Sequence, residues 1–198
     1  MRSGITGSLA VLAIFLMAGA GSASAQDKGK GKGKGGPNLP PPIKLTIAGF
    51  ADGGAIPEKY TCALPMAVSP AMQWSDVPAG AMSFAMIFHD PDPVIAKGTN
   101  DVLHWAIFNI PGTARELPEH VANQAELADG TRQPNNIAGT PGFFGPCPPP
   151  PAPHHYTFEF FALDSKLDIP AASSREDLLK AMNGHVLAKA VYIGMFHR

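Results

Sequence analysis

The sequence predicts a mainly β fold with a few helices, specifically an antiparallel β-sandwich. From position 43 to about position 161 the chain consists of short apolar runs separated by proline and glycine clusters, and the whole chain has 21 prolines and 21 glycines. This pattern is typical of β domains, because proline cannot donate a hydrogen bond to a neighbouring strand. The predicted strands cover residues 44–48, 82–89, 102–109, 156–163 and 191–196.

One helix is strongly indicated near the C-terminus. Ser173 or Ser174 can cap it, with Glu176 and Asp177 at the spacing of a capping box. The apolar residues that follow at helical spacing are Leu178, Leu179, Met182 and Val186. Their stripe is expected to pack on the sheet. A weaker helical turn is predicted over residues 119–127.

The first 42 residues are expected to lie outside the folded domain. Residues 1–25 resemble a signal peptide, with Arg2 at the start, an apolar run, and the small-residue cleavage pattern Ala23-Ser24-Ala25. Residues 26–42 alternate lysine with glycine and then run into prolines, which predicts a flexible linker. One domain is therefore expected over residues 43–198, in a periplasmic or secreted protein. An uncleaved N-terminal anchor is the alternative.

Charge and hydropathy exclude two classes of function for the domain. Residues 43–198 contain 10 lysines and arginines against 15 aspartates and glutamates, and this acidic balance argues against nucleic-acid binding. No uncharged apolar run in this part reaches 18 residues, so the domain is not expected to be embedded in a membrane.

The two cysteines, Cys62 and Cys147, are disulfide candidates. An even number of cysteines in a protein sent to an oxidising compartment favours a bond. Two separate buried thiols remain the alternative, since the sequence does not show how far apart they lie.

Polar clusters at the ends of apolar strands mark a candidate pocket. The first is His89-Asp90-Pro91-Asp92-Pro93, where the prolines favour an extended turn that orients two carboxylates. The second is His104-Trp105, inside an apolar strand. Strand alternation predicts that His104 shares a face with Ala106 and Phe108.

The third cluster is a proline-rich segment that leads into a strand. It passes through Gly145-Pro146-Cys147-Pro148 and ends at His154-His155-Tyr156. Alternation puts His154 and Tyr156 on one face and His155 on the other. Each cluster alone has an ordinary structural explanation, either a solvated loop or a core histidine. Together they predict that Asp90, two histidines and a tyrosine converge on one cavity.

These motifs, in this order, resemble the bacterial branch of the phosphatidylethanolamine-binding (Raf kinase inhibitor-like) family. The resemblance covers residues 44–198 and rests on DPD, HW followed by NIPG, and GPCPP followed by H-x-Y, with a helix expected at Gly184-His185-Val186-Leu187. It implies a β-sandwich with a small anion-binding pocket. The ligand-binding residues it implies are Asp90, His104, Gly145, Pro146, Pro148, His154 and Tyr156.

Two positions depart from the family pattern. The usual DPDAP reads DPDPV from Asp90 to Val94, and the arginine that is common between the histidine and the tyrosine is His155. The second departure removes a fixed positive charge near the pocket, so it bears on ligand affinity.

The expected function is non-catalytic binding of a small anion of the phosphate or phosphoethanolamine type, with no cofactor and no metal. A protein partner in the envelope or in a host is a further expectation. One alternative is an inhibitor of a protease or another protein that acts through its surface. A metal-dependent hydrolase is less favoured, because the paired histidines of zinc proteases and the G-x-S-x-G elbow of hydrolases are missing from the sequence.

Overall fold

The strands of this chain form two sheets, which a computed structural model describes over residues 42–198. The predicted signal peptide and almost all of the predicted linker lie outside these residues. The elements are β1 (Lys44–Ile47), β2 (Gly54–Ala55), β3 (Met72–Ser75), β4 (Ser83–Asp90), β5 (Val102–Pro111), β6 (Glu116–Leu117), β7 (His154–Leu163), α1 (Arg175–Met182) and β8 (Val186–Phe196), with a 3₁₀ turn over Glu58–Tyr60.

The two sheets pack face to face as a β-sandwich. The larger has the order β2-β8-β7-β4-β5 and is antiparallel except for the short β2–β8 pair, and the smaller has the order β1-β3-β6. Aromatic side chains fill the layer between them: Trp74 of β3 lies 5.3 Å from Phe84 and 4.7 Å from Phe160, centroid to centroid. The predicted fold class is confirmed.

Helix α1 covers the other face of the larger sheet. Leu178 and Met182 pack against Ala85, Ile87 and Phe108, so both faces of β4 are buried. This explains why the sequence of β4 is a nearly continuous apolar run rather than an alternating one. The domain is therefore layered as small sheet, large sheet and helix.

The predicted C-terminal helix is confirmed, but it is shorter than its apolar pattern suggested. Ser174 caps it in a capping box with Asp177, whose backbone N–H donates to the Ser174 hydroxyl. Leu179 is 37% exposed. Val186 and Leu187 begin β8, so the helix expected over Gly184-His185-Val186-Leu187 is wrong. The apolar repeat continued into a strand, where pairing with β7 satisfies the backbone instead.

The helical turn predicted over residues 119–127 is also wrong. This segment is a loop whose backbone groups bond to distant parts of the chain. The N–H of Val121 donates to the Ser69 hydroxyl, and the Gln133 side chain donates to the carbonyls of Ala122 and Gln124. Such tertiary partners replace the local i to i+4 bonds of a helix.

The five predicted strands correspond to β1, β4, β5, β7 and β8, with shifted ends. Strands β2, β3 and β6 were missed because runs of two to four residues are too short to show alternation. None of the helices within residues 42–198 is long and apolar enough to span a membrane.

Cys62 and Cys147 are bonded to each other, as expected. The N–H of Cys62 also donates to the Pro146 carbonyl over 3.0 Å. Both a disulfide and a backbone hydrogen bond therefore connect the loop that follows the 3₁₀ turn to the proline-rich segment.

Candidate functional site

The predicted site residues meet at one end of the larger sheet. Asp90 is the last residue of β4, His154 is the first of β7, and these strands are antiparallel neighbours. His104 lies near the start of β5, on the other side of β4. The sheet order therefore brings together three segments that are distant along the chain.

Asp90 and His154 form a close pair. Oδ2 of Asp90 lies 2.7 Å from Nδ1 of His154, and Oδ1 accepts the N–H of Asp92 over 3.0 Å. The Asp90 side chain is 4% exposed and that of His154 is 13% exposed. With Asp90 ionised, its oxygens can only accept, so Nδ1 of His154 carries the proton of this bond. The pair orients the imidazole and turns its Nε2 away from the carboxylate.

A β-bulge turns His104 into the same space. Trp105 pairs with Phe88 of β4, whereas Leu103 pairs with the very next residue of β4, so His104 is the extra residue. The ring of His104 lies 5.5 Å from that of Phe88 and 5.2 Å from that of Tyr156, centroid to centroid. His104 therefore points between the two sheets.

The predicted face of His104 is consequently wrong. Ala106 and Phe108, which alternation assigned to its face, pack in the layer beneath α1. The bulge adds one residue without extending the partner strand, and this reverses the alternation locally.

The protonation of His104 follows from its surroundings. Its Nδ1 lies 2.9 Å from the carbonyl oxygen of Phe144, which can only accept, so Nδ1 carries a proton. Burial lowers the pKa of this imidazole below its ordinary value of 6.5, although the Phe144 carbonyl and the charge of Asp90 act in the opposite direction. The neutral ring then has a lone pair on Nε2 and can accept a hydrogen bond there.

Tyr156 lies at the centre of this group and is completely buried. Its ring lies 6.5 Å from that of His154, centroid to centroid. Among the described residues its hydroxyl has no hydrogen-bond partner. Burial, together with the negative charge of Asp90, raises the pKa of this hydroxyl well above its ordinary value of 10.0. Asp90 is close enough to contribute to this shift, but within residues 42–198 the hydroxyl forms no hydrogen bond of ordinary geometry, so the group is a neutral O–H donor available to a ligand.

The segment from Gly145 to Pro148 forms one side of the site. The carbonyls of Pro146 and Pro148 accept hydrogen bonds from Cys62 and Arg198, which hold the segment in place. Proline has no N–H, so the segment offers only two amide donors, those of Gly145 and Cys147. Neither forms a hydrogen bond of ordinary geometry within residues 42–198. The Cys147 amide lies close to the Tyr156 hydroxyl and acts to lower its pKa, which is the effect of a donor.

Gly145 is required by close packing. A Cβ atom at this position would lie 2.6 Å from the Cβ of Ala67 and 2.9 Å from the carbonyl oxygen of Tyr60. Any side chain would push the segment away from the 3₁₀ turn and carry the two amide donors with it.

A second histidine–aspartate pair lies beside the first, and the sequence did not suggest it. Oδ2 of Asp92 accepts the backbone N–H of His155 and lies 3.0 Å from its Nδ1. These side chains are 36% and 52% exposed. The sequence contained one indication of this second pair. Each motif has two ionisable residues, Asp90 and Asp92 in one and His154 and His155 in the other.

A separate charged network lies on the helix-covered side of the sheet. Nδ1 of His89 is 2.6 Å from Asp101, and its Nε2 is 3.5 Å from Glu159. Asp101 also pairs with Arg175 at 3.0 Å, and Glu159 pairs with Lys189. The contact with His89 is the main cause that lowers the pKa of Glu159 to about 2. This network ties α1 to β4 and β7.

Asp90, His104, His154 and Tyr156 thus lie close together, with the Gly145–Pro148 segment beside them, and the role of the predicted residues in binding stays a prediction. The fold around them matches one known family. Residues 46–197 match the family model described as phosphatidylethanolamine-binding protein. The chain belongs to the phosphatidylethanolamine-binding protein family.

Relatives of known sequence and structure agree with this assignment. A UPF0098 protein from Methanothermobacter thermautotrophicus is 43% identical over 156 residues, which is 79% of this chain and 99% of the relative. A phosphatidylethanolamine-binding protein homolog from Chlamydia trachomatis has a TM-score of 0.70 at 34% identity, over 79% of this chain and 98% of that one. Escherichia coli YbcL, described as a member of the mammalian family, has a TM-score of 0.69 at 30% identity over the same shares. These relatives place the chain in the bacterial branch of the family.

Proposed function

We propose that the domain binds a small oxyanion of the phosphate or phosphate-monoester type and does not catalyse a reaction. One observation carries the proposal: within residues 42–198 the Tyr156 hydroxyl and the nearby amides of Cys147 and Gly145 form no hydrogen bond of ordinary geometry, and the hydroxyl lies close to Asp90 of the Asp90–His154 pair. Buried donors normally have partners, so a group of unused donors favours an acceptor-rich ligand.

The carboxylate in the pocket is compatible with an anion because its charge is partly offset. Each of its oxygens accepts a hydrogen bond, one from His154 and one from the Asp92 amide. His104 contributes an acceptor through Nε2 in its neutral form. A phosphate that keeps one P–O–H group could donate to His104 while its other oxygens accept from the tyrosine and the amides.

The site also favours a small ligand that is admitted by local movement. The Tyr156 hydroxyl is fully buried, whereas the His154 side chain is 13% exposed and Cys147 is partly exposed. An anion reaches the hydroxyl only when one of these shifts outward. Side-chain and loop shifts of this kind are common on binding.

The chemistry of the same groups supports a binding role over an enzymatic one. Tyr156 is held in its protonated form, so it is a poor nucleophile and a poor base. Cys147 is in the disulfide. The disulfide in turn supports a protein that works in an oxidising compartment, in the periplasm or outside the cell.

A second candidate function is regulation or inhibition of a protein partner through the surface. The turn that carries Asp92 continues into Val94 and Ile95, which are 78% and 37% exposed. Apolar side chains exposed beside a pocket are typical of contact surfaces. A partner that binds this turn would cover the pocket, or its affinity would depend on whether a ligand is bound there.

The proposed function is tested by calorimetric titration of the full chain with inorganic phosphate, and separately with phosphoethanolamine, in the presence of a chelator. Removing two pocket side chains, in the double variant His104→Ala and His154→Ala, is expected to weaken binding at least about tenfold. His185→Ala is the matched control, because this exposed histidine pairs with Asp164 away from the pocket. Equal affinity in the double variant and the control would remove the proposal. A partner pulled down equally by all three proteins would favour the surface role.

A further inference from the structure

We propose that Asp90, Asp92 and His154 also bind a divalent transition-metal cation of the zinc class. This goes beyond the proposed anion site, with which it shares Asp90, His154 and the Tyr156 hydroxyl, and it rests in addition on the position of Asp92. One ligand atom from each of the three side chains lies within 4.8 Å of the other two. The combination of carboxylate and imidazole ligands suits zinc and its neighbours in the first transition series.

The local charge favours a cation. Two carboxylates lie close together, and across residues 42–198 no lysine or arginine is within ion-pair distance of either one. Their present contacts are with His154, His155 and backbone amides. A divalent cation would offset the repulsion between the carboxylates more strongly than these contacts do.

A second observation also points to a missing ligand. The Tyr156 hydroxyl is fully buried and has no partner within the described part of the chain. The Tyr156 ring lies 6.5 Å from that of His154, centroid to centroid. An oxygen of a water or an anion beside the cation would give this hydroxyl an acceptor.

The geometry requires only a small adjustment. Ligand atoms around a tetrahedral zinc ion lie about 3.3 Å apart, so atoms that lie within 4.8 Å of one another must approach by at most about 1.5 Å. Asp92 can do this, because its side chain is 36% exposed and lies on a turn, and its Oδ1 has no hydrogen bond in the described structure. Nδ1 of His154 and Oδ2 of Asp90 face each other at 2.7 Å, and they would separate to about 3.3 Å as the cation replaces the proton between them.

The proposal departs from the sequence expectation of no metal. That expectation rested on the missing histidine spacing of helical zinc sites and on the prolines of the clusters, which leave few liganding geometries. Here the ligands come from two segments 64 residues apart. Three protein ligands leave one position open, which is the arrangement that accepts an exogenous ligand.

The test is a calorimetric titration of the full, chelator-treated chain with zinc chloride alone, at neutral pH and without phosphate. One site is expected in the wild type. Asp92→Asn and His154→Gln are each expected to weaken it by about 100-fold or more, since even residues behind a metal ligand cost 10- to 100-fold. Asp164→Asn is the matched control, because Asp164 forms an exposed pair with His185 at 2.8 Å and has the same chemistry.

Cobalt provides an independent reading of the same site. Co²⁺ bound to this ligand set is expected to give visible absorption bands that disappear in Asp92→Asn, whose thermal unfolding checks that the fold is intact. The metal proposal is overturned by no zinc binding in the wild type, or by equal affinity in the wild type and both pocket variants. Loss of binding in the Asp164→Asn control to the same degree would also overturn it. Phosphate binding in the presence of a chelator is measured separately, so failure of the metal site and failure of the anion site are distinguishable.

Discussion

Replacing Tyr156 with phenylalanine should make the protein more stable and a weaker binder at the same time. The substitution removes one oxygen atom and leaves the buried aromatic ring in contact with His104 and Phe88. That oxygen has no hydrogen-bond partner within residues 42–198. A buried hydroxyl without a hydrogen-bond partner lowers the stability of the fold. A ligand that accepts a hydrogen bond from this hydroxyl best explains why it is there.

The gain in stability follows from desolvation. Burying a hydroxyl without a partner costs about 1–3 kcal/mol. Removing the hydroxyl recovers part of this free energy of desolvation. The small void that the missing oxygen leaves in the core offsets part of the gain. A net gain of about 1 kcal/mol is expected, which corresponds to a rise in Tm of roughly 2–4 °C for a domain of this size.

The loss in binding follows from the charge of the ligand. A hydrogen bond from a neutral donor to a charged acceptor contributes about 1.5–3 kcal/mol. Phosphate affinity should therefore fall by roughly 10- to 150-fold. Calorimetry with inorganic phosphate measures this, and thermal unfolding of the same samples measures the stability.

Tyr192→Phe is the matched control. The Tyr192 hydroxyl donates to the carbonyl oxygen of Phe50, far along the chain from the pocket residues. Its removal should lower stability by about 1 kcal/mol and leave phosphate affinity unchanged. If Tyr156→Phe also lowered stability, the hydroxyl would have a structural partner, and if phosphate affinity did not change, the hydroxyl would not contact the ligand.

Two further outcomes test the structure away from the pocket. The contact with His89 lowers the pKa of Glu159 from its ordinary value of 4.5 to about 2, so the ionised carboxylate stabilises the fold above pH 4.5 and this contribution is lost as the pH falls toward 2. The difference in unfolding free energy between wild type and Glu159→Gln should shrink over that range in urea unfolding, and a constant difference would contradict the assignment. Opening the disulfide, which spans 85 residues between Cys62 and Cys147, should lower the free energy of unfolding by about 4.5 kcal/mol by chain entropy. Urea unfolding of a Cys62→Ser, Cys147→Ser double variant checks this, and a loss below about 1 kcal/mol would show that the bond constrains the unfolded chain little.

Much of the architecture could be predicted because it depends on local signals. The capping pair of Ser174 and Asp177 is encoded within four residues, and helix α1 begins there. The apolar run of β4 required burial on both faces, and the sandwich with its covering helix provides it. The chemical types of the pocket residues, and the motifs that indicate the family, were also readable in order along the chain.

Errors arose where a local pattern competed with tertiary partners. Residues 119–127 have some helical character, but distant groups such as the Ser69 hydroxyl and the Gln133 side chain satisfy their backbone. Val186 continued the helical repeat of α1, yet the edge of β7 provided strand pairing. Neither partner is visible within a window of neighbouring residues.

By itself the sequence determined the strand-rich fold, the capped helix, the family, and the presence of acid, imidazole and phenol groups at strand ends. Only the tertiary structure decided where those groups point and which of them lack partners. The face of His104 depends on a bulge, which is a property of two paired strands rather than of one. The unused hydroxyl of Tyr156 and the pairing of Asp92 with His155 depend on atoms from segments far apart in the chain. Hydrogen bonds are decided by positions in space to within fractions of an ångström, and sequence patterns specify position only along the chain.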